Sequence, residues 1–183
     1  AGDWYQCDQR ALIPRSPIAE LIEEQLSPFI EPQRVRRVLD IGTGSGCIAI
    51  AMARYFSGAD VDGVDVSNEA LALAKANAER LKVSDRVRFL HSDVYRQLED
   101  QTYDVIISNP PYVPTTVVDN LPAEYHHEPR LGLEAGADGL SVVRTIINQA
   151  HRHLNPQGLL IVEVGESAAA LERAFPTLPF LWL

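Results

Sequence analysis

The chain has 183 residues, of which 46% are hydrophobic and 22% are charged, a composition typical of one soluble globular domain. Its formal charge of -9 argues against unaided binding to a nucleic-acid backbone, and no apolar run approaches the ~20 residues of a membrane-spanning helix. The two cysteines, Cys7 and Cys47, lie far apart without metal-ligand spacing, so we expect a cytoplasmic protein without a disulfide framework.

An amino-terminal helix is predicted at residues 18–26, and five apolar runs of strand character follow it. We therefore divide the chain into a lead-in segment with that helix, residues 1–30, and a domain, residues 31–183. The stretch "NPQG" predicts a turn before the fifth strand. The predicted strands cover residues 37–42, 59–66, 87–93, 103–108 and 159–165, and residues 180–183 begin a sixth.

The segments between these strands have the periodicity of helices. In residues 67–81 and 141–154, apolar side chains recur at helical spacing, and Ser67 is placed to cap the first of the two. Apolar strands that alternate with amphipathic helices predict an α/β fold, a mostly parallel sheet with helices on both faces. The apolar positions are Leu71, Ala74, Ala78 and Leu81, then Val143, Ile146, Ile147, Ala150 and Leu154.

Three glycines follow the first strand in the stretch "DIGTGSG", residues 40–46. Gly42, Gly44 and Gly46 permit backbone torsions and close approaches that a side chain would block. The spacing differs from the G-x-G-x-x-G of dinucleotide sites, and the Asp40 carboxylate would repel a pyrophosphate but suits a cation. An ammonium and a sulfonium group match that charge, so the motif indicates S-adenosylmethionine rather than NAD. The alternative is a tight strand-to-helix turn without a ligand.

Acidic side chains end the second and third predicted strands. A carboxylate at Asp65 can accept hydrogen bonds from both hydroxyls of a ribose, as in other doubly wound nucleoside sites. Asp62 is a competitor earlier in the same strand, and a favourable charge beside the next helix is a simpler role for Asp65. Asp93 can accept a hydrogen bond from an adenine amino group, with Val94 beside the ring. Ligands of open parallel sheets bind at this edge, so the two strand ends predict a nucleoside site.

The fourth predicted strand runs into "NPPY", residues 109–112. Pro110 and Pro111 must end the strand, because proline removes a backbone donor and fixes φ. The side-chain oxygen of Asn109 and the carbonyl oxygen of Pro110 can accept both N–H bonds of a planar NH₂ group. This directs the nitrogen lone pair toward a methyl donor. Tyr112 can stack on the acceptor and exclude water, whereas the alternative is a stiff turn with no ligand.

Together, "DIGTGSG", "SDV" at residues 92–94 and "SNPPYV" at residues 108–113 resemble motifs of the class I methyltransferases that modify planar NH₂ groups. The stretches "ALIPRSP" and "EPRLGLEAGADGL", at residues 11–17 and 128–140, are similar to one family, the protein-glutamine N5-methyltransferases. The resemblance implies a Rossmann-like class I fold and S-adenosylmethionine as cofactor, with S-adenosylhomocysteine as product. It also implies that the acceptor is a glutamine side chain in a protein of the translation machinery.

The same resemblance implies roles for individual residues, and it implies no metal. The glycine loop would hold the methionine part of the cofactor, Asp65 the ribose and Asp93 the adenine. His151 and His153 are two apart on a predicted helix, a poor spacing for chelation. The expected cofactor residues are Asp40, Ile41, Gly42, Thr43, Gly44, Gly46, Asp65, Val66, Asp93, Val94 and Asn109. The expected substrate residues are Asn109, Pro110, Pro111 and Tyr112, with Asn109, Pro110 and Tyr112 as the catalytic ones.

The branch of the family follows from "RSPIAEL", which begins at Arg15. The release-factor branch has Arg-Pro-Asp-Thr-Glu there, and this chain looks more like the branch that acts on the third large-subunit ribosomal protein. Relative to the family's pattern, we expect this chain to be a fragment without the amino-terminal helical domain and the last strand. Release-factor methylation and adenine N6 methylation remain alternatives, although the acidic charge disfavours the second. An NAD-dependent dehydrogenase and a non-catalytic binding module are more remote.

Three features near the predicted site have less specific interpretations. The long loop at residues 115–138 is expected to close over the substrate, since long ordered loops are often functional. Glu163 and Glu166 lie near the end of the fifth predicted strand, where they either face the cleft or are solvated, and we expect both to be solvated. Arg15 is interpreted equally as a cofactor-cleft residue or as a cap for the first helix region.

Overall fold

The structure, a computed structural model, describes residues 4–11, 16–118, 132 and 134–183. Arg15 and most of the loop 115–138 lie outside these residues, so their predicted roles stay predictions. Within the described residues the strands are β1 (Arg37–Ile41), β2 (Asp60–Asp65), β3 (Val87–His91), β4 (Tyr103–Ser108) and β5 (Leu154–Val162). They form one parallel sheet in the order β3–β2–β1–β4–β5, which confirms the predicted α/β architecture.

The helices of the described residues are α1 (Ile18–Glu23), α2 (Cys47–Tyr55), α3 (Asn68–Arg80), α4 (Thr115–Val118), α5 (Ser141–His153) and α6 (Ala168–Ala174). The predicted cap of α3 is confirmed, because the Ser67 hydroxyl accepts a hydrogen bond from the Ala70 amide at 3.2 Å. Helix α1 ends earlier than predicted, since Gln25 and Leu26 adopt left-handed φ values of 53° and 58°. None of these helices combines the length and apolar character that a membrane crossing requires.

The sheet is buried on both faces because successive residues of its central strands point to opposite sides. Val38 of β1 and Ile107 of β4 pack into one core cluster, with side chains of α1, α2 and α3. Leu39 and Ile106 pack into a second cluster on the other face, which α5 covers. Helix α1 therefore shares its core with the rest of the domain, and the division at residue 30 stays a prediction.

Strand β5 begins earlier than predicted and contains an irregularity. Tyr103 pairs with Leu154 and Val105 pairs with Leu159, so four residues of β5 bulge out between these two pairs. The predicted "NPQG" turn is therefore a bulge inside the strand, with Gln157 at a φ of 64°. Because β4 and β5 come back into register after it, the carboxyl ends of both strands still reach the same edge.

The prediction of a sixth strand at residues 180–183 is wrong, because these residues form no strand. Trp182 instead stacks on Phe180 with ring centroids 5.4 Å apart, and its Nε1 donates to Oε1 of Glu172 at 2.8 Å. Glu172 lies on α6, so the segment is attached to this helix rather than to the sheet. Leu181 and Leu183 remain exposed.

A buried ion-pair cluster links β1, β2, β3 and β4. Asp62 of β2 accepts hydrogen bonds from Arg88 Nε at 2.8 Å and from the Tyr103 hydroxyl at 2.9 Å. Arg37 donates to the same carboxylate at 3.2 Å and lies over the Tyr103 ring, 5.1 Å from its centroid. Because these groups occupy the Asp62 carboxylate, this residue holds strands together, which favours Asp65 over Asp62 as a ligand-binding residue.

We predict that Asp62→Ala lowers the free energy of unfolding by about 2–3 kcal/mol. The change leaves the buried Tyr103 hydroxyl without its acceptor and removes the ion pairs of Arg37 and Arg88. The partly exposed arginines keep the cost below that of a fully buried pair. Urea denaturation measures the loss. The control is Asp60→Ala, an exposed carboxylate of the same strand that should cost under ~0.5 kcal/mol. Equal losses for the two variants would contradict the interpretation.

Candidate functional site

The candidate site lies at the carboxyl edge of the sheet, where the strand order reverses between β1 and β4. Ile41, the last residue of β1, pairs with Ser108, the last residue of β4. The Ser108 hydroxyl also donates to the Ile41 carbonyl oxygen at 2.7 Å, which joins the two strand ends. The glycine loop and the "NPPY" segment therefore leave the sheet side by side, in the position where open parallel sheets bind ligands.

The glycine loop, residues 42–46, is fixed to the end of β2. The amides of Gly42 and Thr43 both donate to the Val64 carbonyl oxygen, at 2.9 Å and 3.0 Å. Gly46 has a φ of 81°, and a Cβ there would lie 2.9 Å from the Ala74 Cβ, so close packing against α3 requires glycine. Gly42 has a φ of 70°, yet a Cβ there would have no heavy atom within 4 Å. The loop is thus packed on one side and open above Gly42, where a ligand can approach.

Asp40 lies beneath this loop and is completely buried. Its Oδ2 accepts hydrogen bonds from the Thr43 hydroxyl at 2.6 Å and from the Ala49 amide at 3.0 Å. Its Oδ1 accepts no hydrogen bond from any described residue. Burial raises the pKa of Asp40 to about 7, against the lowering effect of those two hydrogen bonds. Asp40 therefore contacts the loop and is not exposed at the surface. The predicted attraction between its carboxylate and a cationic ligand would act across the loop.

Asp65 connects the glycine loop to the start of α3. Its Oδ2 accepts a hydrogen bond from the Gly44 amide and its Oδ1 accepts one from the Ser67 amide, both at 2.9 Å. The side chain is half-buried, and each carboxylate oxygen can accept a further hydrogen bond. The next residue, Val66, is exposed. Asp65 thus reaches the same edge as the open face of the loop, as the sequence predicts.

The turn after β3 contains a strained residue. Val94 has a φ of 51°, a left-handed conformation that is a genuine outlier for a β-branched residue. The Ser92 hydroxyl donates to the Val94 carbonyl oxygen at 2.9 Å, and the Val94 side chain is buried. Asp93 beside it is exposed, with Arg96 3.8 Å away. Such strain, at a cost of about 1–3 kcal/mol, tends to occur at ligand sites, and here it turns Asp93 outward.

The "NPPY" segment is held in place by two glycines. A Cβ on Gly139 would lie 2.4 Å from the Tyr112 carbonyl oxygen, and a Cβ on Gly165 would lie 2.8 Å from Cε2 of its ring. Pro110 is buried, whereas Asn109 and Tyr112 are half-buried at the edge. The segment is therefore closely packed where it leaves β4, and it presents its polar groups beside the glycine loop.

Two residues at this edge were missed or misjudged from the sequence. The expectation that Glu163 is solvated is wrong, because its carboxylate accepts hydrogen bonds from Ser16 and Tyr112. The sequence feature that could have revealed this role is the position of Glu163 directly after β5, at the edge that it shares with Asn109. Asn77 is fully buried on α3, where its Nδ2 donates to the Ser45 carbonyl oxygen at 2.9 Å. The sequence feature that could have revealed Asn77 is a polar residue on the apolar face of a predicted helix.

Of the two histidines of α5, His153 belongs to the core. His153 stacks on Tyr95 with ring centroids 4.4 Å apart, and its Nδ1 lies 2.9 Å from the Gln101 carbonyl oxygen. His151 is exposed on the same helix. Across the part of the chain that the structure describes, no three histidine, cysteine, aspartate or glutamate side chains are grouped so as to hold a metal ion.

Comparison with known proteins identifies a matching family model and similar proteins. Residues 22–123 match the family model described as "Methyltransferase small domain". The chain is 51% identical over 183 residues to the "Ribosomal protein uL3 glutamine methyltransferase" of Xanthomonas campestris, and 48% identical over 184 residues to that of Francisella tularensis. Each comparison covers 100% of this chain and 59% of the relative. The chain therefore spans about three fifths of the length of these relatives.

Among solved structures, the fold is similar to that of the hMettl16 catalytic domain in complex with a MAT2A 3'UTR hairpin. The TM-score is 0.71 at 20% sequence identity, over 94% of this chain and 65% of that chain. A "Human methyltransferase 10 domain containing protein" has a TM-score of 0.66, also at 20% identity, over 94% of this chain and 76% of its own. At this level of identity the likeness concerns the fold alone.

The raised pKa of Asp40 predicts a specific pH dependence of stability. Between its ordinary pKa of 3.8 and about 7, the folded chain keeps a proton on Asp40 that the unfolded chain releases. The contribution of Asp40 to the free energy of unfolding therefore falls as pH rises from about 4 to about 7, and then stays level. We expect Asp40→Asn to remove this decline in urea titrations at a series of pH values. The control is Asp85→Asn, an exposed carboxylate, and a pH-independent difference between wild type and Asp40→Asn would contradict the prediction.

Proposed function

The chain belongs to the methyltransferase small domain family, and from this premise we propose that it methylates the N5 nitrogen of a glutamine side chain, with S-adenosylmethionine as cofactor. The proposed acceptor is the large-subunit ribosomal protein uL3. The observation that carries the proposal is the pairing of Ile41 with Ser108, which sets the "NPPY" segment beside the glycine loop. The identity of about half of all positions to enzymes named for this reaction supports the choice of acceptor.

The carboxyl edge has features that suit this cofactor. S-adenosylmethionine supplies an electrophilic methyl group on a sulfonium and leaves as S-adenosylhomocysteine. The open face of the loop above Gly42 would take its methionine part, and Asp65 keeps capacity to accept the ribose hydroxyls. The exposed Asp93 would accept the adenine amino group, beside Val66 and Val94. The proposed cofactor residues are those expected from the sequence, with Asp40 supporting the loop from below through Thr43.

The acceptor would be held by the segment from Asn109 to Tyr112. An amide nitrogen is a poor nucleophile because its lone pair is delocalised into the carbonyl group. If the Asn109 side-chain oxygen and the Pro110 carbonyl oxygen accept both N–H bonds, they fix the NH₂ group and direct its lone pair at the methyl group. Pro111 stiffens the turn, and the Tyr112 ring would lie on the flat amide and exclude water. These groups orient the acceptor, and no covalent intermediate is required.

Charge bears on the choice between acceptors. The formal charge of -9 disfavours a nucleic-acid acceptor, because phosphates would be repelled, and suits a basic protein partner. Release-factor methylation is the alternative that shares all the chemistry, and adenine N6 methylation is the alternative that shares the NH₂ site. We also propose that the protein works in the cytoplasm, where both protein acceptors are made.

Asn109→Ala should separate acceptor chemistry from cofactor binding. Since Asn109 would orient the amide in the transition state, we expect methyl transfer to fall by roughly 100-fold while the Kd for S-adenosylmethionine changes little. Single-turnover transfer and calorimetry measure the two effects. Asn148→Ala, an exposed asparagine of α5, is the control and should leave both unchanged. An equal collapse of cofactor binding in the Asn109 variant would overturn this division of roles.

Labelled-methyl transfer with the full-length chain tests the acceptor directly. The substrates, offered in parallel, are a ribosomal protein pool, release factors, and RNA and duplex DNA. We expect label on a glutamine of uL3, located by mass spectrometry. Label on a release factor would keep the chemistry and overturn the branch, and label on adenine would overturn the protein acceptor. Cofactor binding without label on any acceptor would indicate a non-catalytic module.

A further inference from the structure

Glu163 lies beside the proposed acceptor site because β4 and β5 end in register. Ser108 pairs with Val162, and the Glu163 amide donates to the Ser108 carbonyl oxygen at 3.0 Å. Glu163 therefore follows β5 just as Asn109 follows β4. Its side chain is half-buried, in contrast to Glu166, which is exposed in the next turn.

The carboxylate of Glu163 bridges two segments that are far apart in the sequence. Oε2 accepts a hydrogen bond from the Ser16 hydroxyl at 2.5 Å, and Oε1 accepts one from the Tyr112 hydroxyl at 3.5 Å. Ser16 also accepts a hydrogen bond from the Ile18 amide at 3.2 Å, in the first turn of α1. A continuous series of hydrogen bonds thus runs from the start of α1 to the tyrosine of the "NPPY" segment.

Close packing also defines the position of Tyr112. Its carbonyl oxygen lies against Gly139 and its ring against Gly165, with no room for a side chain at either glycine. These contacts fix one side of the residue, and the Glu163 carboxylate holds the hydroxyl at the far end of the ring. Losing that carboxylate would remove this hydrogen bond from the hydroxyl end of the ring.

We propose that Glu163 is a positioning residue, which holds the Tyr112 ring in the orientation that the acceptor amide needs and couples it to Ser16. The inference rests on the proposed function, because the ring is the surface on which the amide would lie. It assigns a role to the segment before α1 as well, since the Ser16 hydroxyl donates one of the two hydrogen bonds that orient the carboxylate. Misplacing an acceptor by about 1 Å can cost ~100-fold in rate, so such a support matters for transfer.

The kinetic test uses a double-mutant cycle in the full-length chain with a glutamine peptide as acceptor. We expect Glu163→Ala to lower kcat by roughly 10-fold to 100-fold, the scale for losing a hydrogen bond to a charged group, with an unchanged Kd for S-adenosylmethionine. Glu163→Gln should fall between Ala and wild type, because its amide can still bond both hydroxyls. In a Tyr112→Phe background, Glu163→Ala should cost little more. Glu166→Ala is the matched control and should behave as wild type.

A second measurement does not depend on activity. Fluorine NMR of the fluorotyrosine-labelled chain, with the Tyr112 signal assigned by its loss in Tyr112→Phe, reports the surroundings of this ring. We expect Ser16→Ala to shift the Tyr112 signal in the wild-type background and not in a Glu163→Ala background, while Glu166→Ala leaves it in place. An unmoved signal in Ser16→Ala and Glu163→Ala would overturn the inference, as would additive rate losses in the cycle. Coupled signals without methyl transfer by the wild type would instead overturn the proposed function.

Discussion

The parallel pairing of β1 with β4 is the constraint on which the rest of the site depends. The two strands are not consecutive, and their neighbours lie on opposite sides, so the sheet reverses its order between them. Ile41 and Ser108 end the strands at the same level, and the Ser108 hydroxyl joins them. A slip of this register by one residue would turn Leu39 and Ile106 out of their core. The packing that stabilises the sheet therefore also fixes the distance between the two functional loops.

Two buried aspartates show how differently the two faces of this sheet are built. Asp62 is almost enclosed, and both of its carboxylate oxygens accept hydrogen bonds. Asp40 lies one register step away on the opposite face and is fully enclosed, yet its Oδ1 has no partner among the described residues and its pKa is raised to about 7. A buried carboxylate without full compensation costs stability. This cost falls under the glycine loop, where the proposed function supplies a reason to retain it.

Local signals account for what the sequence predicted well. The strands and helices follow from residue periodicity, the cap at Ser67 from one side chain, and the loop positions from glycine and proline, all read within a few residues. The predictions from the sequence fail where contacts join residues that are far apart in the chain, or where packing determines the conformation of a terminal segment. Glu163 meets Ser16 across 147 residues and Asn77 meets Gln6 across 71, separations that no short pattern contains. The apolar residues 180–183 have strand composition, but stacking and a contact to α6 determine their conformation.

The proposed site divides into two halves, which are formed by loops from different strands. The loops after β1, β2 and β3 form the proposed cofactor half, and those after β4 and β5 form the proposed acceptor half. The amino-terminal segment contacts both, since Gln6 binds Asn77, whose Nδ2 donates to the glycine loop at Ser45, and Ser16 binds Glu163. Changes in the β4 and β5 loops can therefore alter the acceptor without disturbing the cofactor half. This is why a shared fold at 20% identity carries no information about the acceptor.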